Sequence, residues 1–239
     1  MEDVNTIVRP LTVASYNIHQ CVGLDGRYDP VRIAQVIREI DADIIGLQEV
    51  HSRVSENPEA HQLEFLASTT GMHAVAGPTL YRRGGHYGNA MLTNASVHGV
   101  RFVDLSVADY EPRGGIDAQV VIAGGKLRVL VTHLGLGAAE RRAQVTRLLS
   151  LLMEERCGMV VLLGDINEWM PGAYSLQWLE NFFGCAPAPR TFPSRFPLFA
   201  LDRIWAKPAE ILSRVHVHSS PQSRIASDHL PVVATLQTT

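Results

Sequence analysis

Met159-Val160-Val161-Leu162-Leu163-Gly164-Asp165-Ile166-Asn167 is the stretch on which the reading of this chain turns. The Val- and Leu-rich run fits a strand buried on both faces, and a carboxylate and an amide follow at its carboxyl end. Such a strand is a rigid base, and loop residues just beyond it can be held to the tolerance that catalysis needs. Asp and Asn are also ordinary turn residues, so the same four residues, Gly164 to Asn167, read equally as a turn that ends a strand. The rest of the chain has to separate the two.

At 239 residues with 46% apolar content, the chain can bury a large core, and the expectation is one domain over residues 1–239. No apolar stretch is long enough to span a bilayer, and Met1-Glu2-Asp3-Val4 lacks the basic-then-apolar order of a secretion signal. The expected location is therefore the cytoplasm, with no transmembrane segment and no obligate protein partner. Three scattered cysteines, Cys21, Cys157 and Cys185, argue against a disulfide framework or a thiolate zinc site and are expected to be packing residues. Net charge is -3, and of the 21 basic residues only Lys126 and Lys207 are lysine. Duplex DNA is bound mainly through phosphate neutralisation, so this balance disfavours nucleic acid, whereas arginine suits bidentate capture of a small phosphorylated substrate.

Working outward, Thr12 to Ile18 and Ile44 to Gln48 read as strands. Between them Asp29-Pro30 caps a helix carrying Ile33, Val36, Ile37 and Ile40 on one face. Residues 57–70 read as helical, and Met72 to Val75 and Asn89 to Thr93 as short strands. Ile116 to Ile122 and Leu127 to Thr132 flank Gly124-Gly125 as a hairpin. Ala138 to Glu155 places Val145, Leu148, Leu149 and Leu152 on one helical stripe. After the Met159 strand come a helix at Ser175 to Phe183, a Pro-rich passage from Ala186 to Pro197, and strands at Leu201 to Trp205, Val215 to His218 and Pro231 to Leu236.

Polar residues collect at the ends of these strands: Asn17, Glu49, His133, Asp165 with Asn167, and Asp228-His229, with Asp202 opening a further strand. A carboxylate such as Glu49 is costly to bury unpaired, so it calls for a cation or an arginine unless it sits in a plain surface turn. A histidine placed like His133 is often only a hydrogen-bonded structural residue. Oxygen donors with few imidazoles point to Mg²⁺ or Mn²⁺ rather than zinc. The zinc helices HxxEH and HExxH, the Walker loop and the Gly-x-Ser-x-Gly elbow are all absent from the sequence.

At these residues the chain resembles the endonuclease/exonuclease/phosphatase superfamily, which includes deoxyribonuclease I, abasic-site endonucleases, neutral sphingomyelinases and inositol polyphosphate 5-phosphatases. The matching segments run in order from Tyr16-Asn17-Ile18 through Gly46-Leu47-Gln48-Glu49, Gly88 to Leu92, Thr132-His133-Leu134, Gly164 to Asn167 and Leu201 to Ile204 to Ser227 through Pro231. The resemblance implies a four-layer α/β/β/α sandwich, two packed mixed β-sheets flanked by helices. It also implies roles: Glu49 as principal Mg²⁺ ligand with Asn17 and Asp228 beside it, Asp165 as the group that orients or deprotonates water, and Asn167 as a phosphate donor. His229, steadied by Asp202, resembles the imidazole that contacts phosphate, and His133 a leaving-group acid or second phosphate donor.

One position departs from the abasic-site endonucleases, where an acidic residue stands two after the asparagine; here it is His19, open as a ligand, a phosphate contact or a packing residue. Tyr81 to Tyr87, with Arg82 and Arg83, reads either as a substrate-gripping loop or as a solvated one. Asn89 and Arg203 are further substrate-binding candidates, whereas Arg141-Arg142 read as a solvated helix face. The expected activity is metal-dependent hydrolysis of a small or lipid-linked phosphoester, as a phosphodiesterase or phosphatase. A nuclease of the same mechanism and a catalytically silent binding module are the competing expectations.

Overall fold

The computed structural model describes residues 10–53, 57–123, 125–154 and 158–238, so the readings above on Met1 to Val4, Gly124, Glu155 and Cys157 lie outside it. Among the described residues eleven strands form two sheets. The first holds, in spatial order, β10 (Leu212–Val217), β11 (Val232–Leu236), β1 (Leu11–Asn17), β2 (Ile44–Arg53), β4 (Gly85–Thr93) and β3 (His73–Arg82). The second runs β5 (Ser96–Asp104), β6 (Gly114–Ile122), β7 (Gly125–His133), β8 (Met159–Asp165) and β9 (Asp202–Lys207). Each sheet is mixed, with one parallel pair: β1 with β2, and β7 with β8. A helical crossover makes each parallel pair possible. These are α1 (Pro30–Ile40), capped by the Asp29 side chain on the Arg32 N–H at 2.9 Å, and α3 (Ala138–Glu154).

The apolar residues separate into three layers of packing. Ile33, Val36 and Ile37 of α1, with Leu63 and Leu66 of α2 (Gln62–Thr70), cover Ala14, Tyr16, Ile45 and Leu47 on the outside of the first sheet. Val145, Leu148 and Leu152 of α3, with Leu176 and Leu179 of α4 (Tyr174–Phe183), cover Leu130, Val160, Leu162 and Trp205 on the outside of the second. Between the sheets lie Val13, Ile44, Met91, Ile116, Val129, Val131, Val161, Leu163 and Ile204. This is the four-layer α/β/β/α sandwich: each sheet has one face for helices and one for the other sheet. A short helix, α5 (Ser223–Ala226), precedes the last strand, and among the described residues no helix is long and apolar enough to cross a membrane.

Several element readings shift. β5 was not expected; a register irregularity between Val97 and Gly99 breaks its alternation, and most of its residues are exposed at the sheet edge. The strand expected at Met72 to Val75 continues to Arg82 through Pro78, which an edge strand tolerates because its unpaired side needs no N–H. Tyr81 to Tyr87 is therefore no long loop but the end of β3, a tight turn and the start of β4. The 57–70 helix divides into a single turn at Pro58–Ala60 and α2. Cys21 is buried as expected, but Cys185 is exposed and so does not pack in the core.

The sheets approach closely at Gly46 of β2. A Cβ there would lie 2.1 Å from Leu163 Cδ1 and 2.8 Å from Val131 Cγ1 of the opposite sheet. Gly46→Val should overpack this wholly buried layer and cost about 1–3 kcal/mol, read as a lower denaturant midpoint at unchanged slope. A midpoint equal to the native one would show that the sheet separation is not set here.

Candidate active site

Strand parity builds the site. Alternate residues face the opposite sheet, so the inward row of β1 ends at Asn17, that of β7 passes Val129 and Val131 to His133, and that of β8 passes Val161 and Leu163 to Asp165. β9 runs antiparallel to β8, so its first residue, Asp202, stands opposite Asp165 and shares a face with Ile204 and Ala206. Four polar residues thus continue four rows at the point where the inter-sheet core opens to a cleft of about 540 Å³.

Glu49 arrives by another route. The β2–β4 register shifts between Leu47 and Val50, and Glu49 adopts φ 60°. A left-handed non-glycine residue costs about 1–2 kcal/mol, and this bulge re-aims the carboxylate into the cleft. Gly164, with φ 158°, is required for a different reason: a Cβ would lie 2.0 Å from the Thr132 carbonyl of the adjacent strand.

The two sheets meet through Asn17. Its amide nitrogen donates to Glu49 Oε1 and to Asp165 Oδ2, each at 3.0 Å, while its Oδ1 accepts the His19 N–H at 3.0 Å. Asn17 accordingly faces the carboxylates as a donor that positions them, beside Glu49 as the resemblance implies. Asp165, almost fully buried, also accepts the Asn167 N–H on Oδ1 at 2.9 Å. Asn167 spends one amide hydrogen on the Leu134 carbonyl at 2.9 Å, leaving the other for the cleft it lines.

Two histidines flank Asp165 Oδ2, with His133 Nε2 at 3.6 Å and His229 Nε2 at 3.7 Å. Their environments differ. Burial lowers the basicity of His229, but its 2.8 Å bond from Nδ1 to Asp202 Oδ2 and the charge of Asp165 outweigh burial and push its pKa up to about 10. Burial also dominates at His133, where Arg113 and His229 reinforce it against Asp165 and the pKa falls to about 4. Arg113 Nη1 approaches His133 Nδ1 at 3.4 Å. A guanidinium only donates, so Nδ1 accepts and the single ring proton sits on Nε2, toward Asp165.

The carboxylate of Asp202 is fully buried, and Thr191 Oγ1 donates to it at 2.5 Å. Ser227 Oγ donates to the Asn17 carbonyl at 2.7 Å and accepts the His229 N–H at 3.2 Å, fixing the loop that carries Asp228 and His229 to the end of β1. Asp228 Oδ1 lies 3.9 Å from His19 Nδ1. His19 opens a turn in which it, Gln20 and Cys21 all have positive φ, and its Nδ1 bonds the Val22 carbonyl at 3.0 Å. The carbonyl can only accept, so His19 Nδ1 carries a proton.

Other expected residues lie elsewhere. Asn89 is buried, ties the sheets by donating to the Gly114 carbonyl at 2.8 Å, and is not among the residues that line the cleft. Arg203 points to the helical side of β9, over the Trp205 ring at 5.9 Å, because it neighbours the inward Asp202. Arg83 is exposed at the β3–β4 turn, outside the residues that line the cleft, and the Arg82 side chain is not among those described. Arg141, read as solvated, is instead buried, bonded to Glu168 at 2.8 Å, and lines the cleft; Arg142 is exposed. Arg113, Trp169 and Phe199 line the cleft without having been singled out. Arg113 had a legible cue in its place just before the β6 run.

A family model described as "Endonuclease/Exonuclease/phosphatase family" matches residues 14–229. The uncharacterized protein YbhP of Escherichia coli strain K12 is 34% identical over 246 residues, covering 93% of this chain and 94% of that one. The crystal structure of an endonuclease/exonuclease/phosphatase from Beutenbergia cavernae is 25% identical with TM-score 0.74, covering 96% of this chain and 72% of that one. A mannosyl-6-phosphatase of Bacteroides thetaiotaomicron shares the fold at 20% identity and TM-score 0.72, covering 95% and 100%.

The opposed histidines make a direct prediction. In metal-free protein at pH 7, nitrogen-resolved NMR of the imidazoles should find His229 protonated on both nitrogens and His133 on Nε2 alone, and Arg113→Gln should mix the His133 tautomers. A neutral His229 in the native protein, or an unmoved His133 spectrum in the variant, would contradict the assignment.

Proposed function

Since the chain belongs to the endonuclease/exonuclease/phosphatase family, we propose that it is a metal-dependent phosphoester hydrolase that uses Mg²⁺, with Mn²⁺ able to substitute, on a small or lipid-linked substrate. The observation that carries this reading is the setting of Asp165: one carboxylate oxygen is held by Asn17 and faced by both His133 and His229. A shared fold with a mannosyl-6-phosphatase supports phosphoester chemistry without naming this substrate.

The donors suit a hard cation. Burial raises the pKa of Glu49 more than the Asn17 bond and the nearby His19 lower it, and Asp228 and Asp165 raise it further. A divalent ion held by Glu49 and Asp228 would relieve that repulsion. Asp165, Asp202 and His229 also lie within ligand reach of one another, but Asp202 already engages the histidine ring. A ring bonded at Nδ1 and held protonated has no lone pair to offer a cation, so Glu49 and Asp228 fit better. When bound, the ion would polarise a phosphoryl oxygen.

The chain's own groups supply the rest. Asp165, fixed by Asn17 and the Asn167 N–H, takes a proton from the attacking water as its oxygen bonds to phosphorus and the ester oxygen leaves opposite. His229, held as imidazolium by Asp202, donates from Nε2 to the charge that develops on the phosphoryl oxygens. His133 is neutral, so it serves as an Nε2–H hydrogen-bond donor to a phosphoryl or leaving oxygen rather than as a store of acid. Asn167 offers its free amide hydrogen to the same group.

Turnover of p-nitrophenyl phosphate and bis(p-nitrophenyl) phosphate tests this. Activity should vanish with EDTA and return with Mg²⁺, and Asp165→Asn and His229→Ala should each lower kcat by about 100-fold or more. Near-native turnover in either variant overturns the assignment, and preferential cleavage of duplex DNA at physiological salt would replace the small-substrate reading with the nuclease one.

A further inference from the structure

The cleft combines two chemistries: Glu49, His133, Asp165 and His229 line it together with Leu136, Trp169, Phe192 and Phe199, and the Phe192 ring lies 4.9 Å from that of His229. Trp169 and Phe199 pack with ring centres 5.1 Å apart. Phe192 and Phe199 pair as an antiparallel bridge, and the chain between them turns back on itself through bonds from the Phe196 N–H to the Pro193 carbonyl and the Leu198 N–H to the Phe192 carbonyl. Ser194 anchors this loop, donating from its N–H to the Asp228 carbonyl and from Oγ to the Ser227 carbonyl, each at 2.7 Å. The loop is therefore fastened to the segment that carries His229.

Its tip is apolar and exposed. Phe196 is 70% and Leu198 59% exposed, and at the cleft Leu136 is 76% and Trp169 51% exposed. Single exposed apolar side chains are common, but a group of them at the cleft and on the loop fastened beside it marks a surface that meets something apolar. The segment 186–200 contains Arg190 and Arg195 and no acidic residue, and the Arg195 guanidinium sits 5.7 Å from the Phe196 ring centre. Aromatic and aliphatic side chains interleaved with arginine suit an interface whose interior is hydrocarbon and whose surface is negative.

We propose that this loop, with Leu136 and Trp169, docks on an anionic lipid surface, and that the substrate is an amphiphilic phosphoester taken from it. Its phosphorus would lie against Asp165 and His229, and its apolar part along Trp169 and Phe199. The substrate half of the proposal rests on the hydrolase reading above; the docking half does not.

Co-sedimentation of the full chain with vesicles in EDTA, where turnover is suppressed, separates the two. Binding is expected to vesicles of phosphatidylcholine with phosphatidylglycerol and to be weaker on phosphatidylcholine alone. Phe196→Ser/Leu198→Ser should lower partitioning about tenfold or more, with an unchanged melting temperature showing that the exposed tip is not needed for folding. Arg190→Gln/Arg195→Gln should remove the preference for the anionic lipid. Native protein left in the supernatant, or a Phe196/Leu198 variant that sediments like the native chain, overturns docking. Hydrolysis of bis(p-nitrophenyl) phosphate by native protein that ignores vesicles would then leave the hydrolase reading standing. Vesicle binding by protein that cleaves neither soluble nor vesicular phosphoesters with Mg²⁺ overturns the substrate half and the hydrolase reading together.

Discussion

The fork of hydrogen bonds from the Asn17 amide to Glu49 and Asp165 is the interaction on which the site depends, because its two acceptors belong to different sheets. Each sheet by itself supplies half of the chemistry: a parallel pair with a helical crossover, ending in polar residues at its carboxyl edge. Neither half positions a carboxylate against a histidine of its partner. Only when the inter-sheet layer closes, at places such as Gly46, does Asn17 come within 3.0 Å of Asp165. Close packing of that layer thus sets a distance in the site, and the Ser227 bond to the Asn17 carbonyl fastens the His229 loop to the same strand end.

Holding these groups together is electrostatically unfavourable in the protein alone, and the structure offsets the cost unevenly. Asp202 and His229 form a buried ion pair, with Thr191 donating to the same carboxylate oxygen. Among the described residues Glu49 is bonded by a neutral amide, with His19 near it and two more carboxylates as neighbours. A group with burial and like charges on one side and an open cleft on the other is suited to receive a cation, whereas a group already neutralised is not. The same contrast divides the histidines. One is beside a dedicated carboxylate and stays charged, and the other is kept neutral by burial with a guanidinium beside it, so two imidazoles around one oxygen carry different charges.

Much of this was legible in the sequence, because period-two alternation is a local rule. Val129-Leu130-Val131-Thr132-His133 and Val161-Leu162-Leu163-Gly164-Asp165 announce both their strands and the face on which the last residue emerges. The same rule excludes Arg203 from the cleft: it follows Asp202, so if one points inward the other cannot. Glu49 breaks the pattern, since a bulge has to rotate it, and nothing in Gly46-Leu47-Gln48-Glu49 by itself states that a bulge is there. Arg141 and Phe199 were illegible for another reason. Each reaches the cleft through tertiary packing between segments distant in sequence, and an arginine near the start of a helix looks the same whether a buried Glu168 awaits it or water does.

That distinction bears on specificity. In the proposed reaction the residues fixed by strand parity, Asn17, His133, Asp165 and Asp202, act at the phosphoester bond itself and have no freedom to follow a substrate. The residues that sequence patterns did not announce, Leu136, Trp169 and Phe199 among them, belong to connecting segments rather than to the strands. Loops can change their side chains without disturbing the inter-sheet layer. Ser194 and Glu168 nevertheless fasten two of these segments by buried hydrogen bonds, which means that the apolar lining of the cleft is held in register with Asp165 and His229 rather than left to fold over whatever binds. A surface so fixed selects by shape and polarity at the moment of contact, and its apolar side chains gain their stabilisation only when something apolar covers them.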